Sequence, residues 1–220
     1  MTKRKKVLIV TPLKNGVQGN SFDLDSGVRR NDKVVAILES GGVGILPTDT
    51  IYGIVGSALM PDAVKRIYRL RKRNPNKPMI ILASSVDDIF SFGVTIDAAT
   101  KKILAKVWPG KVSVILPIAP RRSVAIERFA YLHRGTGTLA FRIPKSAQLR
   151  KLLQVTGPLI APSANFEGEP PALTIRAAKK YFGANVDFYV DAGKLVSKPS
   201  TLVQISKGKL IVLRAGAVKL

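Results

Sequence analysis

The chain has 220 residues, 46% of them hydrophobic, with 36 Lys and Arg against 14 Asp and Glu and a formal charge of +22. That length and apolar content exclude a disordered polypeptide and supply enough side chains for the core of one large domain. No cysteine is present, which excludes disulfides and thiolate metal sites, and the single histidine, His133, leaves almost no material for a zinc site or a Ser-His-Asp triad.

Residues 3–6 are Lys-Arg-Lys-Lys and residues 7–10 Val-Leu-Ile-Val, a superficial likeness to a signal peptide. Thr11, Pro12 and Lys14 end the apolar part too early, and no small-residue cleavage site follows. A first strand within a basic extension over residues 1–26 is the expectation, and no apolar run approaches the roughly 18 residues of a membrane span. Residues 31–40 have a polar start and helical apolar spacing closed by Gly41-Gly42, and residues 43–46 read as a short buried strand ended by Pro47. Pro61-Asp62 opens the next helix, with Val64, Ile67, Tyr68 and Leu70 on its apolar face and Lys65, Arg66, Arg69, Lys72 and Arg73 around the rest.

Further strands are predicted at 79–82, 112–116, 139–143, 158–161, 187–190, 201–205 and 209–213. Helices are predicted at 86–91, 97–107, 146–154 and 174–182. The irregular alternation predicts an α/β fold with a sheet of mixed direction, not a doubly wound one. Residues 121–137 show little periodicity and read as a mobile loop or lid, with His133 on its surface. No repeat or linker divides the chain.

Familiar nucleotide signatures fail. Gly41-Gly42-Val43-Gly44 lacks the Gly-Lys-Ser/Thr ending of a P-loop and does not fit the dinucleotide fingerprint. Paired carboxylates are scarce, which argues against a glycosidase. What remains is cationic and hydroxylic: Arg71, Arg73, Lys77, Arg142 and Arg214, with Thr50, Ser163, Asn165 and Ser200. Arginine forks read phosphate or carboxylate oxygens, and hydroxyls and amides fix orientation. Such a set suits a reaction catalysed by positioning and charge neutralisation. Each piece alone has a plainer reading: Arg71 and Arg73 complement a helix C-terminus, and residues 162–165 form a turn. The charge excess favours polyanionic partners, nucleic acid or nucleotide phosphates, although no basic tail or aromatic interleaving marks a single-strand binder.

The order of the pieces is more specific than any one of them. Pro-Thr-Asp-Thr-Ile-Tyr-Gly (47–53), Arg-Lys-Arg-Asn-Pro-Asn-Lys-Pro (71–78), Trp-Pro-Gly (108–110), Phe-Arg-Ile-Pro (141–144), Ala-Pro-Ser-Ala-Asn (161–165), Pro-Ser-Thr (199–201) and Leu-Arg-Ala-Gly (213–216) follow in that sequence. The series closely resembles the YrdC-like threonylcarbamoyl-AMP synthase family over about residues 27–217. The resemblance implies a single domain whose twisted mixed parallel and antiparallel sheet, with flanking helices, surrounds a basic concave cavity. It implies a cytoplasmic nucleotidyltransferase acting on ATP, bicarbonate and L-threonine, with Mg2+ expected alongside ATP and held mainly by its phosphates. Its product would feed a transferase system that modifies tRNA.

By position, the resemblance assigns ATP contacts to Arg71, Arg73, Lys77, Ser163, Asn165 and Arg214, with Arg71 and Arg73 as the catalytic cations. It assigns L-threonine contacts to Thr50, Arg142, Ala161 and Ser200. Departures from the family pattern are Arg71 for a usual lysine, Lys72 and Asn74 for glycine and proline, Lys111 and Ser113 for proline and threonine, and Leu82 for a polar threonine contact in some relatives. Two alternatives stand beside the synthase: a non-catalytic RNA-binding paralogue, and a carbamoyl-transfer domain with another acceptor. Large carbamoyltransferases carry zinc-finger and acylphosphatase-like modules, and longer synthases a C-terminal domain; none of these is expected here.

Overall fold

Adjacent residues of the strands part to opposite faces, and that alternation sets the architecture. Ile45, Ile54, Ile81, Ile160 and Tyr189 join one buried cluster, while their neighbours Leu46, Val55, Leu82, Leu159, Phe188 and Val190 join another. A strand with apolar residues on both faces needs cover on both, so these segments read as near-continuous apolar runs. The structure, a computed structural model, describes residues 7–10, 28–118, 124–206 and 208–220, with the backbone alone for 28–31. The basic run 3–6 and the first residues of the 121–137 segment lie outside the described residues.

The strands are β1 (Leu8–Val10), β2 (Gly44–Pro47), β3 (Tyr52–Ser57), β4 (Ile80–Leu82), β5 (Val112–Pro117), β6 (Thr138–Arg142), β7 (Leu159–Ile160), β8 (Phe188–Val190), β9 (Thr201–Ser206) and β10 (Lys209–Arg214). They form one sheet in the order β1-β8-β2-β3-β7-β4-β6-β5-β9-β10. β1, β8 and β2 pair in parallel, as do β4 with β6 and β5 with β9; the other neighbours are antiparallel. The mixed direction is as the sequence predicts.

Helices α1 (Val28–Glu39) and α7 (Ala147–Thr156) cover one face through Val34, Leu38, Leu149, Leu152 and Leu153. The other face packs against α2 (Pro61–Leu70), α3 (Val86–Phe90), α4 (Ala98–Val107), α6 (Ala130–His133) and α8 (Ile175–Phe182). There Phe92 meets Phe129 and Phe141 at ring-centroid distances of 4.9 and 5.4 Å. Burial of an aromatic or branched side chain in such a layer stabilises the fold by about 1.5–3 kcal/mol.

Three readings of the sequence are corrected. β3 was not foreseen. Its sequence Tyr-Gly-Ile-Val-Gly-Ser carries two glycines, which weaken a strand signal. The segment read as a mobile loop holds two short helices, α5 (Val124–Arg128) and α6. His133 is not a surface residue but buried: its Nε2 lies 2.8 Å from the Ile126 carbonyl, and its Nδ1 accepts from the Gly135 amide at 3.0 Å. That pairing fixes the neutral tautomer with the proton on Nε2.

Candidate active site

α1 and α7 cover only part of their face of the sheet. Beyond them, the side chains pointing the same way from β4, β6, β5, β9 and β10 form the floor of a cleft of about 330 Å3. Its residues follow the two-residue strand period: Ile80; Thr138, Ala140 and Arg142; Ile115; Ser200 and Leu202; and Arg214. Leu82, next but one after Ile80, lies under the helix layer with no exposure and does not line the cleft.

The turn between β2 and β3 forms one wall. Thr48 Oγ1 donates to the Ile51 carbonyl at 2.7 Å and accepts from the Thr50 and Ile51 amides at 3.2 and 3.3 Å, which closes a four-residue loop. Thr50 Oγ1 is thereby aimed at Arg142, whose Nη1 donates to it at 2.9 Å. Asp49 lies 3.2 Å from Arg142 Nη2, and its other oxygen accepts from the Lys145 amide at 3.0 Å. Arg142 is 3% exposed, and its Nε has no protein partner. A buried N–H left unpaired costs about 1–3 kcal/mol. Burial pushes the Arg142 pKa below the ordinary arginine value; Asp49 opposes that shift, and Arg214 adds to it.

The end of α2 forms a second wall. The Lys72 amide donates to Arg69 O at 3.1 Å and the Arg73 amide to Tyr68 O at 3.0 Å, the pair of bonds that ends a helix through a left-handed residue. Lys72 supplies that residue, with φ of 51°. On a continuing helix Arg71 and Arg73 would project about 200° apart; the turn at Lys72 brings both to the cleft. Arg71 donates from Nε to Asn165 O at 3.1 Å, and from Nη2 to Ser163 Oγ at 3.2 Å and Asn165 Oδ1 at 3.3 Å. Arg73 donates to the carbonyls of Lys77 and Pro78 at 3.1 and 2.9 Å, which holds its guanidinium rigid.

The segment before β9 closes the site. Ser200 and Ser113 hydroxyls lie 2.8 Å apart, and Arg214 Nη2 donates to Ser200 O at 2.9 Å. Gly216 permits this approach, since a Cβ there would meet Pro199 O and Thr201 N.

Eight of the sequence-predicted residues therefore meet in one cleft: Thr50, Arg71, Arg73, Arg142, Ala161, Ser163, Ser200 and Arg214. Lys77 and Asn165 are not brought to its lining. Lys77 Nζ donates to Glu167 at 3.1 Å, and the Asn165 amide is spent on Arg71, Phe166 O and Glu169 O. Asn165 thus orients Arg71. Sequence reasoning missed Asp49, which the strand-turn motif contains, and Glu167, which no local pattern marks. It also missed Thr138, which the two-residue period counted back from Arg142 would have found.

Like charges dominate the cleft. Arg71 is pushed down to about 10 by burial and then by Arg73; Arg214 is lowered by burial and then by Arg73; Arg142 feels Arg214 in turn. Against these four guanidiniums stand the carboxylates of Asp49 and Glu167. Such an array is relieved by an anionic ligand. Among the described residues no group of three or more His, Cys, Asp or Glu can hold a metal ion, and Asp49 is committed to Arg142.

Hydroxyls, apolar side chains and four arginines around one cleft of an α/β domain make a lining suited to an organic anion. Residues 36–216 match the Sua5/YciO/YrdC family model, described as "Telomere recombination", and the chain belongs to that family. A Methanocaldococcus jannaschii protein is 33% identical over 180 residues, covering 81% of this chain and 82% of its own; its name carries threonylcarbamoyl-AMP synthase activity provisionally. The Pyrococcus abyssi protein named threonylcarbamoyl-AMP synthase is 26% identical over 214 residues, 96% of this chain but 58% of the longer relative. A crystal structure of P. abyssi Sua5 complexed with L-threonine shares the fold at a TM-score of 0.74 and 23% identity over 96% of this chain and 58% of that one. E. coli YciO shares it at 0.75 and 22%, over 98% and 97% of the two chains. No helix among the described residues is long and apolar enough to cross a membrane.

Proposed function

We propose that the chain is an L-threonylcarbamoyladenylate synthase, a nucleotidyltransferase that makes threonylcarbamoyl-AMP and pyrophosphate from L-threonine, bicarbonate and ATP. The observation that carries this reading is the single cleft in which Arg71, Arg73, Arg142 and Arg214 repel one another beside Thr50, Ser163 and Ser200. The likeness to relatives named for this reaction supports it.

In this reading Arg142 takes the threonine carboxylate, and the hydroxyls of Thr50 and Ser200 orient the amino acid. Threonine's amine and bicarbonate give the carbamate and water. A carbamate oxygen attacks the α-phosphorus, the bond from phosphorus to the bridging oxygen breaks, and pyrophosphate leaves with its electron pair. The nucleophile is already an oxyanion, so the protein's task is to hold two anions together and neutralise the charge on the departing group. Arg71, Arg73 and Arg214 do that, with Ser163 as a neutral anchor. Mg2+, when bound with ATP, supplies further neutralisation of the phosphates. The adenylate then passes, in the cytoplasm, to a transferase that modifies tRNA, and the chain's excess of lysine and arginine gives it a salt-sensitive attraction to that RNA.

The test is pyrophosphate release with ATP, bicarbonate and each amino acid in turn. Threonine should be favoured over serine by the value of one methyl, about 1–3 kcal/mol, and over valine by more, because a buried hydroxyl partner is left unpaired. Release that ignores threonine or bicarbonate would overturn the assignment.

A further inference from the structure

Glu167 lies outside the cleft lining, yet it meets Arg71, Arg73, Asn74 and Lys77 of the cationic wall. Its backbone amide donates to Arg71 O at 2.9 Å. One carboxylate oxygen accepts from the Asn74 amide at 2.6 Å, and the other from Lys77 Nζ at 3.1 Å, with Arg73 Nη1 at 3.7 Å. We infer that Glu167 is a positioning residue for the phosphate-binding cations, tying the 71–77 segment to the Ser163–Asn165 turn so that Arg73 faces the triphosphate; the inference rests on the synthase reading above.

The local geometry explains why a tie is needed. α2 has ended by Arg73, so the Asn74 amide has no carbonyl of the helix to bond. Beyond it the chain folds back, with Lys77 N donating to Asn74 O at 3.2 Å and Asn76 N to Asn74 Oδ1 at 2.9 Å. That fold-back places the Lys77 and Pro78 carbonyls against Arg73 Nε and Nη2. Asn74 is the hinge of the fold-back, and Glu167 is what holds Asn74. Local sequence supplies no substitute, because Glu167 stands 93 residues away.

A carboxylate here has an opposite effect as well. It neutralises charge that would otherwise attract the triphosphate, so its removal by that route alone would tighten binding. Charge attraction near the surface is screened by salt, whereas the direction in which a guanidinium points is not. The two contributions are therefore separable.

The experiment measures the affinity of ATP, of inorganic triphosphate and of L-threonine by calorimetry at low and high salt. The proteins compared are the intact wild type, Glu167→Ala and Glu167→Gln. Positioning predicts that Glu167→Ala weakens ATP and triphosphate on the order of tenfold at both salt concentrations. Glu167→Gln, which keeps an oxygen for the Asn74 amide, should weaken them less, and L-threonine affinity should be unchanged. Tighter ATP binding at low salt that fades at high salt would overturn the inference, because Glu167 would then only screen the cations. Equal losses for ATP and L-threonine, or a lower melting temperature with unchanged ATP affinity, would overturn it as well, because the residue would then serve folding alone. A wild-type protein that binds neither ATP nor triphosphate would refute the synthase reading, an outcome distinct from a variant that binds as the wild type does.

Discussion

Replacing Arg71 with lysine keeps a cation and restores the residue that the family pattern has at this position, which on sequence alone makes the change look neutral. The surroundings of Arg71 predict otherwise. The side chain is 3% exposed, and burial, followed by the neighbouring Arg73, pushes its guanidinium down to about 10. An arginine at that value stays mostly charged up to about pH 9.5. Lysine starts lower than arginine does, from about 10.4, and burial and a like charge push down the pKa of any cation placed there. The folded state then binds the proton less well than the unfolded state. The variant's folding stability should therefore rise with pH from its lowered folded-state pKa up to about 10.4. Its affinity for ATP, which needs the cation, should fall over the same range by up to about tenfold per pH unit. A second loss is independent of pH. One ammonium cannot reproduce the Nε bond to Asn165 O together with the Nη2 bonds to Ser163 and Asn165. Leaving such an acceptor unpaired costs about 1–3 kcal/mol, or roughly 2–12 °C in Tm for a chain of this length. The assay is ATP titration of both proteins from about pH 6.5 to about pH 9.5 with thermal melts at about pH 7, a span that lies below lysine's ordinary value of about 10.4. Parallel affinity profiles would refute the reasoning.

Lys72 holds a left-handed conformation that costs a non-glycine residue about 1–2 kcal/mol, and its ammonium lies 4.3 Å from the Phe166 ring centroid. Lys72→Ala should lower stability by about 1 kcal/mol through loss of the ring contact, and Lys72→Gly should recover most of that loss, read from urea midpoints. His133→Ala should destabilise by about 2–4 kcal/mol, because it opens a cavity and orphans the Gly135 amide and Ile126 carbonyl; a melting temperature within 2 °C of wild type, under about 1 kcal/mol, would contradict this. Gly216→Ala should raise KM for L-threonine more than for ATP, since the new Cβ displaces Pro199 and Thr201 on either side of Ser200. Equal effects on the two substrates would place Ser200 elsewhere in the site.

The sequence was most readable where chemistry and local pattern coincide. The helices with clear apolar periodicity, the strands of branched residues and the polar turns after them all lie within a few residues of where the pattern puts them. β3 escaped because its glycines have a tertiary cause: a Cβ at Gly56 would press on Ile67 of α2 and Val43 at 3.2 and 3.3 Å. A strand packed that closely under a helix loses side chains where a propensity scale looks for them. His133 was misread for a related reason, since a polar side chain in an aperiodic segment looks solvated until its two buried backbone partners are known. The same limit governs the cleft. Arg71 meets Asn165 across 94 positions, Arg142 meets Thr50 across 92, and Ser113 meets Ser200 across 87. Residue type announces that each of these can bind an anion or orient a group that does. Only the sheet order, which sets β3, β7, β4, β6, β5 and β9 side by side, decides which of them share a ligand. Glu167 marks the boundary of what a chain can disclose in one dimension. Its carboxylate looks like an ordinary surface acid beside Gly168, and its importance comes wholly from the orphan amide of Asn74 that the fold carries to it.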